Sequence, residues 1–255
     1  MIKIYQKLFN VLFLIFFQSC AFSTELTVVT EHLAPFQIVD SKSITGLSTE
    51  IVRATLDESL IEYNIVAHPW SLSYARAKQE KNTCIYSLAQ IPTRKGLFKW
   101  VGLITNSSIS LYALKDKKLS INNLDDARKY KIAVIKDDVT HHFLLSKGFV
   151  ENENFYVMRN YDALLQLLEI PSRQIDLIVL NDDLLRSRIK SKEEAKKYSN
   201  VLMLNELTLN MYLACSLQTD DNIVNKLKSA MNKLEVSGFN SEIRDKWKKE
   251  MRNLL

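Results

Sequence analysis

The chain has 255 residues, 47% of them apolar and 25% charged, with a formal net charge of +5 and only five glycines and four prolines. That composition belongs to an ordinary folded protein and excludes a disordered, collagen-like or disulfide-dense scaffold. The one basic cluster, Arg244, Lys246, Lys248, Lys249 and Arg252, is interleaved with Glu242, Asp245 and Glu250. It reads as a solvated helix face, and no nucleic-acid partner is expected.

The chain opens like an export signal: Lys3 and Lys7, an apolar run from Leu8 to Phe17, then Ala21-Phe22-Ser23 as a small-x-small site. An apolar run of about ten residues falls well short of the roughly twenty a spanning helix needs. Cleavage after Ser23 and export to the periplasm are therefore expected, with residues 1–23 as the signal peptide. An uncleaved anchor is the competing reading. A lipoprotein reading would use Cys20, but Phe17-Gln18-Ser19 lacks the usual leucine and small residues ahead of it.

From Glu25 strands and helices alternate. Leu26 to Thr30 is a β-branched run ending at Ala34-Pro35-Phe36. After Gly46, Ser48 and Thr49 can cap a helix whose apolar face holds Ile51, Val52, Leu56 and Leu60. Ile65 to His68 is a strand halted by Pro69, Ser71 can cap the next helix, and Cys84 to Leu88 is a third strand. A βαβαβ order predicts a mainly parallel sheet with helices on its faces. The pattern then restarts. A strand over Ile109 to Leu114, a short helix at Leu124 to Ala127 and a strand over Lys131 to Ile135 come first. Asp138 then caps a helix running to Lys147, with Gly148 as its stop. Phe155 to Met158, a helix over Asp162 to Glu169 and Ile175 to Leu180 complete a second unit. Strands at Val201 to Leu204 and Leu209 to Ser216 and two long helices close the chain.

Cys84 and Cys215 remain after cleavage. Export permits a disulfide, but both sit in strand-like apolar runs, TCIYSLA and MYLACSL, where cysteine behaves as a small buried hydrophobe. Two core thiols are favoured over a bridge. No Cys/His group has zinc spacing, so neither metal nor cofactor is expected.

The stretch His68 to Gly102 carries the most functional information. Arg94, on a loop after a strand, has a planar fork suited to a carboxylate. Trp70 on the preceding turn offers a flat apolar wall, and Tyr74 lies one helical turn further on. Glu31 ends the first strand, where ligand sites of α/β folds gather. These residues look like half of a small-molecule cleft.

Those residues, with their surroundings, resemble the exported solute-binding proteins of family 3, the polar-amino-acid type. LTVVTEHLAPFQIVD resembles the first strand and its Y-A-P-F turn, ITGLSTEIV the G-F-D-I-D segment, and PTRKGLFKWVG the T-P-E-R loop. SINNLDDARKYKIAVIKDD, RQIDLIVLND and MNKLEVSGFNSEIRDKW are similar to the later motifs in order. HPWSLSYARA with FKWVG is closest to a subgroup carrying P-W-x-R-A and F-x-W-V-G. The resemblance covers essentially the whole mature chain. It implies an α/β, two-lobed type II periplasmic-binding fold with a two-strand hinge near Thr105 to Ser110 and Asn205 to Asn210. Lobe one would be residues 24–108 plus 209–255, and lobe two 109–208.

The implied function is capture of a small polar, carboxylate-bearing solute such as an amino acid for an ABC importer, by a monomer and without catalysis. The alternatives are a periplasmic enzyme on the same scaffold, like cyclohexadienyl dehydratases, or a stand-alone sensor signalling to a membrane receptor. Arg94 matches the family's carboxylate-pairing arginine and Ser87 a cleft hydroxyl, with Phe36, Trp70 and Tyr74 as walls. Asn181, beside Asp182, matches the acidic residue that holds a ligand ammonium, and Glu31 joins this set. Glu31, Asp138 and Asp182 are the acids an enzyme would draw on. Several positions depart from the pattern. Asp137-Asp138-Val139 replaces Gly-Ser/Thr-Thr, Asn181 replaces the acid, and Leu72 and Gln90 replace arginines. A standard α-amino-acid ligand is not what these departures favour.

Overall fold

The computed structural model describes residues 25–159, 162–189 and 191–253; the signal-peptide reading lies outside them. Five strands form the first sheet: β1 (Leu26–Thr30), β4 (Tyr63–Ala67), β5 (Thr83–Ala89), β6 (Phe98–Ser107) and β12 (Leu209–Ser216). Their spatial order is β4-β1-β5-β12-β6. The second sheet holds β7 (Ile109–Leu114), β8 (Ile132–Ile135), β9 (Phe155–Met158), β10 (Leu177–Asn181) and β11 (Tyr198–Met203) in the order β11-β7-β10-β8-β9. A two-residue hairpin, β2 (Ile38–Val39) and β3 (Ile44–Thr45), follows the first strand.

Each sheet is parallel along one side, out to its edge. β1 runs parallel to β4 and β5, and β8 parallel to β9 and β10. Parallel strands are covered on both faces and so read as continuous apolar runs. Accordingly β5 is buried along its whole length and β8 likewise. The antiparallel members are β12 against β5 and β6, and β7 against β10 and β11. The chain leaves the first sheet between Ser107 and Ile109 and returns between Met203 and Leu209. The crossing strands stay paired on both sides, as Ser107 with Leu209 and Ser110 with Met203.

Helices cover the sheets: α1 (Leu47–Ser59), α2 (Trp70–Gln79), α3 (Val139–Ser146), α4 (Asp162–Glu169), α5 (Asp182–Arg188), α6 (Lys192–Ala195), α7 (Asp221–Val236) and α8 (Phe239–Asn253). In α1 the buried set Leu47, Ile51, Val52, Thr55 and Leu56 recurs at helical spacing, and burying each large side chain contributes about 1.5–3 kcal/mol. α7 turns Val224, Leu227 and Met231 inward against β6. That approach needs Gly102, because a Cβ there would lie 2.4 Å from the Met231 sulfur.

Several local expectations are corrected. Cys84 and Cys215 form a disulfide, not two core thiols. β12 returns beside β5, and the antiparallel register sets the two cysteines directly opposite, with Cα atoms 3.8 Å apart. Ser48 and Thr49 lie inside α1, whose N-cap is Gly46, and Ser71 lies inside α2, whose N-cap is Pro69. Gly46 has φ 110°, and a side chain there would meet the Phe36 carbonyl oxygen at 2.6 Å. By contrast Asp138 caps α3 as expected, its carboxylate accepting from the Thr140 amide, and Gly148 follows in the left-handed region. The long strand β6 and helix α5 were not anticipated.

Candidate functional site

The parallel strands of the two sheets end around a common cleft. Glu31 follows β1, His68 follows β4, Lys136 follows β8 and Arg159 follows β9, each immediately after its strand. All four line a cavity of about 660 Å³, with His32, Trp70, Asp137 and Arg188 among the other walls. Carboxyl ends of parallel strands are where loops converge and ligands bind in open α/β sheets. Of the expected site residues, the cleft holds Glu31 and Trp70. Lys136, Arg159, Arg188, His32 and His68 also line it and were not among the expected residues; Lys136, Arg159 and His68 directly follow strands, a usable signal, whereas Arg188 ends helix α5.

The electrostatics of this cleft are unusual for a site with carboxylates. Glu31 is part-exposed to it but walled by protein. Burial pushes its carboxyl up to about 8, the Asp138 charge adds to the rise, and Arg188 opposes it. Near neutral pH Glu31 is therefore largely a neutral donor. His32 accepts from the Val39 amide through Nδ1 at 3.0 Å, which leaves Nε2 as its N–H. His68 Nε2 lies 2.7 Å from Arg76 Nη1. A guanidinium only donates, so His68 accepts there and carries its proton on Nδ1. Arg76 is itself held by Glu80 at 2.9 Å.

Arg94 sits beside the cleft, not in its wall. It is 4% exposed, on a 3-10 turn (Pro92–Arg94). Its guanidinium lies 5.5 Å from the Trp70 ring centroid and 5.2 Å from that of Tyr74. Nη2 donates to the backbone carbonyl of Asp137 at 2.7 Å, bridging the two sheets. The expected open carboxylate fork is thus occupied by main chain. Trp70, Tyr74, Phe98, Trp100 and Tyr212 form a run of rings with successive centroids 5.6–5.9 Å apart, so the arginine rests on one end of an aromatic ladder.

On the facing side, Asp137 adopts φ 58°, in the left-handed region. Its amide donates to His141 Nδ1 at 3.1 Å. His142, beside it, has its pKa lowered by burial and then by Arg94. A Gly-Ser/Thr-Thr helix start would present free amides to an anion, whereas here His141 takes the Asp137 amide and Asp138 takes that of Thr140.

The remaining expected residues make their contacts within the protein. Asn181 caps α5, its Oδ1 accepting from the Leu184 amide at 2.7 Å, and its side chain is buried. Asp182 accepts from the Tyr112 hydroxyl at 2.7 Å, and neighbouring Asp183 from Ser107 at the same distance. Ser87, at φ 57°, donates to Gln37 Oε1 at 3.0 Å in the interior. Phe36 is 1% exposed and packs in the apolar core shared with the second sheet. Among the described residues no group of three or more His, Cys, Asp or Glu side chains has the geometry to hold a metal, and no helix is long and apolar enough to cross a membrane.

Residues 26–250 match the family model of bacterial extracellular solute-binding proteins, family 3. No curated protein matches the chain. Solved structures with the same fold include a histidine kinase sensor domain similar to periplasmic binding proteins (TM-score 0.77, 17% identity, 88% of this chain and 96% of that one). The arginine-, lysine-, histidine-binding protein ArtJ of Geobacillus stearothermophilus aligns with TM-score 0.74 at 14% identity over 88% and 94% of the two chains. An amino acid ABC transporter substrate-binding protein of Streptococcus pneumoniae, bound to L-arginine, gives 0.72 at 17% identity over 88% and 94%. At these identities the likeness is one of fold: two lobes, each a sheet flanked by helices.

Proposed function

The chain belongs to the bacterial extracellular solute-binding proteins of family 3, and from that premise we propose that it captures a small polar, carboxylate-bearing solute between its lobes for an ABC importer, without catalysis. We divide it into lobe one, residues 24–108 plus 209–255, and lobe two, residues 109–208, with export by a signal peptide cleaved after Ser23 into the periplasm and a monomer as the working unit. The observation that carries this reading is the cleft of about 660 Å³ at the strand ends of both sheets, large enough for a small solute. Closure of the lobes around that solute is the signal a membrane partner would read.

In this reading Trp70 is a wall of the ligand space and Arg94 the residue that ties the closed lobes. A ligand carboxylate reaching Arg94 would replace the Asp137 carbonyl. A second reading, a sensor presenting its closed form to a receptor, is favoured by the likeness to a histidine kinase sensor domain. Its cleft would be the same, and only the partner differs.

Thermal-shift screening of the purified mature protein against amino acids, carboxylates, small peptides and polyamines tests the solute-binding role. A ligand at a hundredfold its dissociation constant stabilises by about 2.7 kcal/mol. Failure of every class to shift unfolding removes the proposal, and turnover of a bound compound replaces it with an enzyme whose acid would be Glu31.

A further inference from the structure

We infer that the cleft selects a small oxyanion carrying two acidic groups, gripped by Lys136 and Arg159 from the second sheet and by N–H donors from the first, and that it rejects basic amino acids. This inference rests on the solute-binding reading and narrows its ligand.

Three independent observations converge on it. First, Lys136 and Arg159 follow adjacent parallel strands, β8 and β9, and both line the cleft. Among the described residues neither side chain has an acidic partner, while Arg188 adds a third cation to the same wall. Second, both histidines of the opposite wall have spent their acceptor nitrogens inside the protein, on the Val39 amide and on Arg76. Each therefore has only an N–H left to give, and the indole of Trp70 beside them is likewise a donor and never an acceptor. Third, the acceptors that would hold a ligand ammonium are missing. Asn181 is consumed in capping α5, and Asp182 is bonded to Tyr112. Glu31 carries its proton near neutral pH. Asp137 keeps an exposed carboxylate on this wall and Asp138, part-buried at the start of α3, sets a second charge near Glu31; against these two stand three cations, Lys136, Arg159 and Arg188.

A cationic side chain would meet these cations with little to pair with, at a cost that grows as water is excluded. A doubly acidic ligand meets donors on both walls and draws the lobes together. Carboxylates and phosphates share this chemistry, so both are tested.

The mature protein is titrated calorimetrically with citrate, L-glutamate, glycerol 3-phosphate, L-glutamine and L-arginine at low and high sodium chloride. At least one of the first three is expected to bind, at least tenfold more weakly at high salt. Lys136→Gln and Arg159→Gln should each weaken it at least tenfold while leaving the unliganded melting temperature in place. Citrate or L-glutamate alone binding identifies a carboxylate site, and glycerol 3-phosphate alone a phosphate site. Binding of L-arginine, or of L-glutamine without any of the three, overturns the inference and leaves solute binding standing. Silence from all five overturns it too, and returns the broader role to the wider screen. Affinity unchanged in both variants also overturns it.

Discussion

Arg94 Nη2 and the backbone carbonyl of Asp137 meet at 2.7 Å across the two sheets, so a main-chain atom of one lobe occupies the guanidinium of the other. The arginine is held from behind by the Trp70 and Tyr74 rings, which leaves its fork aimed across the gap.

Arg94→Ala should therefore loosen closure. Losing a charge-assisted hydrogen bond of this kind costs about 1.5–3 kcal/mol, and the radius of gyration by small-angle scattering should rise. Arg94→Lys keeps a donor but loses the planar stacking, and should fall between. An unchanged scattering profile for Arg94→Ala would count against an interlobe tie.

Glu31 makes stability fall as pH rises. Its folded pKa of about 8 lies above the ordinary carboxylate range, so between the two the folded protein keeps a proton that the unfolded chain has released. The contribution is complete below the unfolded pKa and is lost on the way to about pH 8. The ceiling is about 1.4 kcal/mol per pH unit, reduced by solvent in the part-open cleft. Urea unfolding at pH 5, 6.5 and 8 should show the decline, and Glu31→Gln should flatten it.

The Cys84–Cys215 disulfide spans 131 residues of sequence. Loop-closure entropy for such a span stabilises by about 5 kcal/mol. Replacing both cysteines with alanine should lower the unfolding free energy from guanidinium titration by that order without changing the native fold. A midpoint equal to wild type would show that the bond contributes nothing.

Gly46→Ala and Gly96→Ala form a contrast. At Gly46 the backbone is left-handed and a Cβ would press on the carbonyl oxygens of Phe36 and Pro35, whereas nothing lies within 4 Å of a Cβ at Gly96. The first should cost more than about 1 kcal/mol and the second should be close to neutral. Comparable melting temperatures would refute the close approach.

The layout of strands and helices was legible because apolar period and caps are local. Asp138 capping α3 and Gly148 ending it follow from nearest neighbours. What escaped depended on long-range pairing. Whether Cys84 faces Cys215 is decided by where β12 inserts and in which register, and neither is written in either strand. The same holds at the site. Trp70 and Glu31, which line the cleft, stood out because their local setting marks them. Lys136 and Arg159 looked like any basic residue after a strand until β8 and β9 were laid side by side. Arg94 had the right chemistry, but its partner Asp137 is 43 residues away in sequence.

The same long-range pairing shapes the molecule's fate under attack. Any single backbone cut between Cys84 and Cys215 yields two pieces that remain bonded through sulfur. A protein clipped once anywhere in its second lobe would migrate as one chain until a reductant is added, and its pieces would stay at the high mutual concentration that favours reassembly.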